Sequence, residues 1–248
     1  MQFPTFAYPG GKARLAPTLV SFMPPQGRSY VEPFAGRGNV FWAAASSGLD
    51  FKEWVLNDIR TAPFFEAIRA TGDTVEVPIR SREEYYQQWE GFKQQDFKAV
   101  LLEPYLTFGG GGYGAGVKGV PHSASAEGYA KTMRACHDLM VKKDVLVTSF
   151  DWAHIAWPAF GPEDFVYFDP PYIGADVKPY RPGDLKHEDL VRLLKEAKFR
   201  WMLSEYRNNL YVRELGEPFL TRDVQLKATN YRQDGGKERR VECVWKNY

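Results

Sequence analysis

Apolar runs and their breaks divide the two ends of the chain into alternating strands and helices. Short β-branched and aromatic runs, which are typical of buried strands, lie at residues 30–31, 54–56, 145–148, 165–168 and 200–204. Leu190 and Leu194 recur at helical spacing between two of these runs. The last two apolar runs, at residues 219–226 and 240–245, predict an antiparallel hairpin at a sheet edge. The pattern predicts an α/β fold.

The hydrophobic pattern changes in the middle of the chain, where predicted helices follow one another without strands between them. Ser81 and Glu84 form a capping-box pattern, and residues 128–141 place Met133, Cys136 and Met140 on one helical face. A glycine cluster at residues 109–119 cannot form regular structure. We therefore expect one α/β domain, formed by residues 1–61 and 144–248, with a mostly helical insertion at residues 62–143.

Composition narrows the class of protein only slightly. The 248 residues are 44% apolar and 25% charged, which is ordinary for a globular chain. No apolar run approaches the roughly 20 residues of a membrane helix, and the N-terminus lacks a signal peptide pattern. Cys136 and Cys243 are far apart, so we expect no metal site and a cytoplasmic location. A net charge of +1 neither identifies nor excludes a nucleic acid as partner.

The predicted strand at residues 165–168 is followed by an acid and an aromatic ring that are suited to ligand binding. Pro170 and Pro171 cannot extend a β-ladder, so they leave Asp169 at the carboxyl end of the strand, where open α/β sheets bind ligands. With the ring of Tyr172, the acid is suited to hold a flat ring that bears nitrogen. The alternative is an ordinary proline turn with a packed tyrosine.

A second strand runs into a glycine turn. Gly36 and Gly38 let the backbone approach a ligand, and the helix that follows offers N–H groups at its start. Asp58 lies twenty residues beyond Gly38, the offset at which a carboxylate holds the hydroxyls of a ribose. This spacing predicts an adenosine-containing cofactor. The alternative for Asp58 is a helix cap or a surface acid.

Two further segments carry rings and cations that could contact nucleic acid. Tyr113 and Lys118 lie on the glycine-rich loop, where they are suited to stacking and phosphate contact. Arg232 and Lys237 lie on a basic turn between the last two apolar runs. Solvated loops without a partner are the alternative for both segments.

Four motifs in a fixed order connect these features: residues 8–12, residues 31–38, Asn57-Asp58 and residues 169–172. With them the chain resembles the Dam-type (D12 class) DNA adenine-N6 methyltransferases, in which a target-recognition segment separates the cofactor motif from the catalytic motif. The resemblance implies a Rossmann-like S-adenosylmethionine-dependent methyltransferase sheet with helices on both faces. Thr107-Phe108 and the glycine run replace the family's target-reading signature, so GATC specificity is not supported.

The resemblance also assigns roles to individual residues. The residues implied for the S-adenosylmethionine and adenine pocket are Tyr8, Lys12, Phe34, Gly36, Gly38, Asp58 and Asp169. Asp169 and the carbonyl of Pro170 would accept the two N–H bonds of the exocyclic amine, while Pro171 stiffens the turn. Tyr172 would stack on a base that has left the duplex. The chemistry needs neither a metal nor a covalent enzyme intermediate.

Several alternatives remain open at this point. The same pocket could hold the N4 amine of cytosine, although Asp rather than Ser before the two prolines favours adenine. Methylation of RNA or of a protein glutamine is a further possibility, as is an inactive nucleic-acid-binding protein of the same fold. For the favoured reaction the expected partner is double-stranded DNA, in a bacterial or phage-infected cell, with or without a cognate restriction nuclease.

Overall fold

A computed structural model describes residues 3–8, 10–107, 113, 123–174, 185–225 and 239–248. Seven strands form a mixed sheet in the order β3-β2-β1-β4-β5-β7-β6. The strands are β1 (Gln26–Glu32), β2 (Asp50–Asn57), β3 (Leu146–Thr148), β4 (Phe165–Phe168), β5 (Arg200–Tyr206), β6 (Leu220–Gln225) and β7 (Arg239–Lys246). This sheet confirms the predicted α/β fold class with its terminal antiparallel hairpin.

The chain divides into two compact units, Met1–Ile155 and Ala156–Tyr248. In the first unit β1 pairs in parallel with β2, and β2 in parallel with β3. Tyr30 and Val31 of β1 and Trp54 of β2 are buried, as expected of aromatic and β-branched residues in a central sheet. The finer division at residues 61/62 and 143/144 stays a prediction.

Helices occupy most of the described part of residues 62–143. The first unit contains α1 (Ala16–Ser21), α2 (Asn39–Ala45), α3 (Ala62–Thr71), α4 (Arg82–Lys93), α5 (Phe97–Leu106) and α6 (Ser123–Lys142). The predicted cap of α4 is confirmed, since Ser81 accepts a hydrogen bond from the backbone N–H of Glu84 at 3.0 Å. The predicted inward face of α6 is confirmed as well, because Met133, Cys136 and Met140 are buried.

The second unit is built around a strand that is buried along its whole length. All four residues of β4 are buried, which fits a strand covered on both faces. β4 pairs in parallel with β5, while β7 runs antiparallel to both β5 and β6. The helices here are α7 (His187–Glu196) and α8 (Asn209–Leu215). In the described part of the chain, no helix has both the length and the apolarity needed to cross a membrane.

Candidate functional site

The glycine turn after β1 depends on backbone conformations that side chains disfavour. Gly36 and Gly38 have φ angles of +54° and +69°, both in the left-handed region. A Cβ at Gly36 would lie 3.0 Å from Cε1 of Tyr8, and one at Gly38 would lie 3.1 Å from both the Phe65 ring and Nε1 of Trp42. The two glycines are therefore required by conformation and by packing within the protein, and their contact with a ligand stays a prediction.

The amino-terminal segment is fixed onto this turn by one amide. Oδ1 of Asn39 accepts the N–H of Phe6 at 2.9 Å, and its Nδ2 donates to the Phe6 carbonyl at 3.0 Å. This pairing places Tyr8 so that its ring covers Gly36. Lys12, also buried, donates from Nζ to the Gly10 carbonyl at 2.6 Å. The structure thus brings together Tyr8 and Gly36, two residues that the resemblance assigns to the cofactor pocket, and their contact with a cofactor stays a prediction.

Asp58 holds the turn from the end of β2. Its Oδ2 accepts the N–H of Gly36 at 2.9 Å, while Oδ1 accepts the N–H groups of Arg60 and Thr61 at 2.8 and 2.9 Å. The cap-like role that the sequence left open is therefore present in the structure. Because a carboxylate has about four acceptor positions, three bonds leave room for one more. Contact with a ribose hydroxyl stays a prediction.

The sequence motifs include Asn57 but assign it no role, and in the structure it joins the ends of three chain segments. Its Nδ2 donates to the carbonyls of Pro33 at 3.0 Å and Phe150 at 2.9 Å, and its Oδ1 accepts from Oγ1 of Thr148 and N of Phe150, each at 2.8 Å. The available signal was an amide at the carboxyl end of a strand, next to the acid. Through Asn57, the loops that follow β1 and β3 are anchored beside Asp58.

Apolar side chains stand exposed at the same strand ends. Ile59 follows β2 and is 62% exposed, and Phe150 lies just beyond β3 and is 60% exposed. The half-buried Phe34 ring lies 6.2 Å from the Trp152 ring, centroid to centroid. Large apolar side chains at the edge of a polar site are typical of surfaces that contact a flat ring. No sequence pattern indicated a role for Ile59 or Phe150.

The second unit presents the predicted catalytic residues at the end of β4. Asp169 is half-buried and Pro170 is buried. The Tyr172 hydroxyl donates to Oε1 of Glu242 at 3.2 Å, and the Tyr172 ring packs edge-on against Tyr206 at 4.7 Å between centroids. Burial, with the nearby charge of Asp169 as a second cause, raises the pKa of Tyr172 well above its usual value. Tyr172 is therefore a neutral ring whose edge is fixed.

Side chains from β5 and β7 hold the backbone just beyond this tyrosine. Both carboxylate oxygens of the fully buried Glu205 lie within hydrogen-bonding distance of Ile173 N, at 3.2 and 3.3 Å. Arg240 donates to the carbonyls of Ile173 at 3.4 Å and Gly174 at 2.7 Å. The loop that carries Tyr172 is thus held through one N–H group and two carbonyls.

His187 supports the same loop from the start of α7. Its Nδ1 lies 2.8 Å from the Tyr211 hydroxyl and 3.7 Å from Oε2 of Glu205. Burial lowers the pKa of His187, while the charge of Glu188 and a hydrogen bond to the Pro171 backbone act in the opposite direction. Since proline has no N–H, the Pro171 partner is its carbonyl.

The residues predicted to contact DNA are only partly described. Tyr113 is half-buried, its ring lies 5.1 Å from Phe92 and 5.5 Å from Tyr85, and its hydroxyl donates to the Ala99 carbonyl at 3.0 Å. Its observed contacts are thus within the protein, and a role in stacking stays a prediction. Lys118, Arg232 and Lys237 lie outside the described residues.

The described residues were also searched for a metal centre. They contain no group of three or more His, Cys, Asp or Glu side chains arranged to hold an ion.

Comparison with known proteins agrees with the motifs. The family model for D12 class N6 adenine-specific DNA methyltransferases matches residues 8–100, which confirms the predicted resemblance and the predicted enzyme class. No curated protein matches the sequence.

Among solved structures, the chain is similar to a putative RNA methyltransferase from Pyrococcus horikoshii, with 13% identity, a TM-score of 0.42, and coverage of 98% of this chain and 86% of that one. It is also similar to the rRNA methyltransferase aviRa from Streptomyces viridochromogenes, with 14% identity, a TM-score of 0.43, and coverage of 97% and 85%. A third similar structure is a putative methyltransferase from Streptococcus mutans in complex with SAH, with 9% identity, a TM-score of 0.36, and coverage of 94% and 97%.

Proposed function

We propose that this methyltransferase, whose residues 8–100 match the D12 class, methylates the N6 amine of adenine at specific sites in double-stranded DNA. The observation that carries the proposal is the combination of that family match with an acid, two prolines and a fixed tyrosine at the end of β4. The acid supplies a hydrogen-bond acceptor, the prolines stiffen the backbone, and the ring supplies a flat apolar face.

The residues of the first unit fit S-adenosylmethionine as the methyl donor. A ribose offers hydroxyl donors, and Asp58 retains acceptor capacity at the end of β2. An adenine ring has two apolar faces, and Ile59 and Phe150 expose apolar surface at neighbouring strand ends. A methionine carboxylate is an anion, and the ammonium group of Lys12 lies in the segment next to the glycine turn. When bound, the cofactor supplies an electrophilic methyl group on a sulfonium.

In this proposal Asp169 acts on the amine that accepts the methyl group. Adenine's exocyclic nitrogen is a poor nucleophile because its lone pair is delocalised into the ring. Hydrogen bonds from this amine to the Asp169 carboxylate and the Pro170 carbonyl favour a pyramidal nitrogen with a localised lone pair. Most of the acceleration then comes from holding the amine in a near-attack geometry.

Tyr172 is assigned to the target base. The amine is buried in base pairing within a duplex, so the adenine has to leave the helix before it can reach Asp169. A ring fixed by Glu242 and Tyr206 offers a flat surface that loses little rotational freedom when a base stacks on it. The cationic residues Lys118, Arg232 and Lys237, with Tyr113, remain the proposed contacts to DNA.

The test is methylation of unmodified plasmid DNA by the purified protein with S-adenosylmethionine. Mass spectrometry of the nucleosides is expected to show N6-methyladenine, and sequencing of the product is expected to place it at a defined site. N4-methylcytosine in its place would overturn the choice of base. Methylated RNA with unmodified DNA would overturn the choice of substrate.

A variant pair tests the role of the acid. Asp169→Ala is expected to abolish turnover while keeping cofactor affinity within about tenfold of wild type, because the acid acts on the target amine. Asp189→Ala is the matched control, since Asp189 lies on α7 in the same unit and forms an ion pair with Arg192 at the surface. Near-normal methylation by Asp169→Ala would remove the proposed mechanism.

A further inference from the structure

The glycine turn carries an arginine that points into the protein rather than toward solvent. Arg37 lies between Gly36 and Gly38, and its side chain is only 4% exposed. The guanidinium lies 4.3 Å from the centre of the Phe64 ring and forms an ion pair with Glu103 in the middle of α5. The carboxylate is buried too, with 9% of its side chain exposed. The pair therefore joins the cofactor turn to a helix of the predicted insertion.

Stability alone does not explain this pair. Removing two charges from water costs as much as their attraction returns, so an apolar pair of similar volume would stabilise the fold equally well. Within the described residues, Nε of Arg37 has no hydrogen-bond partner, which adds a further cost. An ion pair differs from an apolar contact in being directional, because a charged hydrogen bond fixes the position of both partners.

The position of Arg37 in the chain lets this directional contact restrain the glycine turn. The glycines on either side of Arg37 have left-handed backbone conformations and no side chains, so neither contributes a side-chain anchor to the turn. The turn is held on one side by the bond from Gly36 N to Asp58, and by the bond from Nε1 of Trp42 to the Arg37 carbonyl. The contact with Glu103 is the side-chain anchor of the same turn.

We propose that Arg37 and Glu103 are positioning residues for the cofactor, so that helix α5 of the inserted segment sets the geometry of the glycine turn. This inference rests on the proposed function, since it takes the turn to be the cofactor-binding element. It assigns the inserted segment a second role: besides reading DNA, it determines how tightly the enzyme binds its methyl donor.

The test measures S-adenosylhomocysteine affinity by calorimetry together with the melting temperature. Glu103→Gln keeps the shape of the side chain but replaces a charged hydrogen bond by a neutral one, and we expect about fivefold weaker binding. The double variant Arg37→Met/Glu103→Met replaces the pair by apolar side chains, and we expect a melting temperature near wild type with about tenfold weaker binding. Glu90→Gln on the surface of α4 is the matched control and should bind normally.

The two readouts separate positioning from simple structural support. If the double variant recovers wild-type affinity along with its melting temperature, the pair is only structural and the inference is overturned. Should that variant fail to fold, Glu103→Gln decides: unchanged affinity at an unchanged melting temperature overturns the inference in the same way. Absence of binding by the wild type would instead overturn the proposed function itself.

Discussion

The Asp58 carboxylate offers a direct test of how the glycine turn is held. In the variant Asp58→Asn one acceptor oxygen becomes an NH₂ group that can only donate. If the remaining oxygen keeps its bonds to the N–H groups of Arg60 and Thr61, the new NH₂ group faces the N–H of Gly36. Two donors then oppose each other, and the Gly36 N–H loses its partner.

The structure sets the size of the effect. A hydrogen bond to a charged group contributes about 1.5–3 kcal/mol, and Asp58→Asn removes at least one of three. For a unit of this size each kcal/mol shifts the melting temperature by about 2–4 °C, which predicts a decrease of about 3–12 °C. The measurement is differential scanning calorimetry without cofactor, so that loss of ligand binding does not contribute.

Asp50→Asn is the matched control for this prediction. Asp50 begins the same strand that ends beside Asp58, but its side chain is 66% exposed and pairs with Lys52 at the surface. Its replacement is expected to change stability by no more than about 0.5 kcal/mol. If Asp58→Asn has the same melting temperature as Asp50→Asn, the Asp58 carboxylate does not hold the turn. A ribose contact then becomes the better explanation for an acid at this position.

Two further predictions concern titratable groups. Burial raises the pKa of the Cys243 thiol to about 11 and that of the Cys136 thiol well above its usual value. A thiol-reactive disulfide at pH 8 should therefore modify both cysteines only after the protein unfolds. Rapid labelling of the native protein would contradict this prediction. Burial lowers the pKa of His187 from its ordinary value of 6.5, so its contribution to stability is complete above that pH and is lost as the pH falls through the lower folded value. Urea denaturation should therefore show a smaller decline in stability below pH 6.5 for His187→Gln than for wild type, and identical declines would refute this assignment.

The sequence predicted the elements that local chemistry determines. The run at residues 165–168 has few alternatives to a buried strand, and the prolines that follow it end the ladder. A serine three residues before a glutamate caps α4 through a local hydrogen bond, which does not depend on how the rest of the chain folds. The first helix shows where such patterns stop being informative: Leu15 and Met23 are both buried at helical spacing, but α1 spans only Ala16–Ser21. Spacing marks the buried face, whereas backbone hydrogen bonds decide where the helix ends.

The partners of the site residues were not predictable in this way. Arg37 and Glu103 are 66 positions apart, and the hydroxyl of Tyr172 finds its acceptor 70 positions away. No local pattern distinguishes a glutamate that will be buried beside an arginine from one that will face water, because the difference arises only when helices pack. The same limit applies to Asp58, for which a cap and a ligand contact predict the same residue at the same place.

The two sets of site residues are fixed by different parts of the chain, and this has a consequence for variants. The glycine turn is anchored through Asp58 and through a helix of the inserted segment, whereas the loop after β4 is held by Glu205, Glu242 and Arg240 from strands of its own unit.

A substitution that loosens α5 should therefore reduce cofactor affinity before it affects turnover at saturating cofactor. A substitution at Glu205 should do the reverse, because the backbone of Ile173 loses its acceptor while the glycine turn keeps its anchors. Steady-state kinetics can separate the two effects, and a Glu205→Leu variant that raises the KM for the cofactor with unchanged kcat would show that this division is wrong.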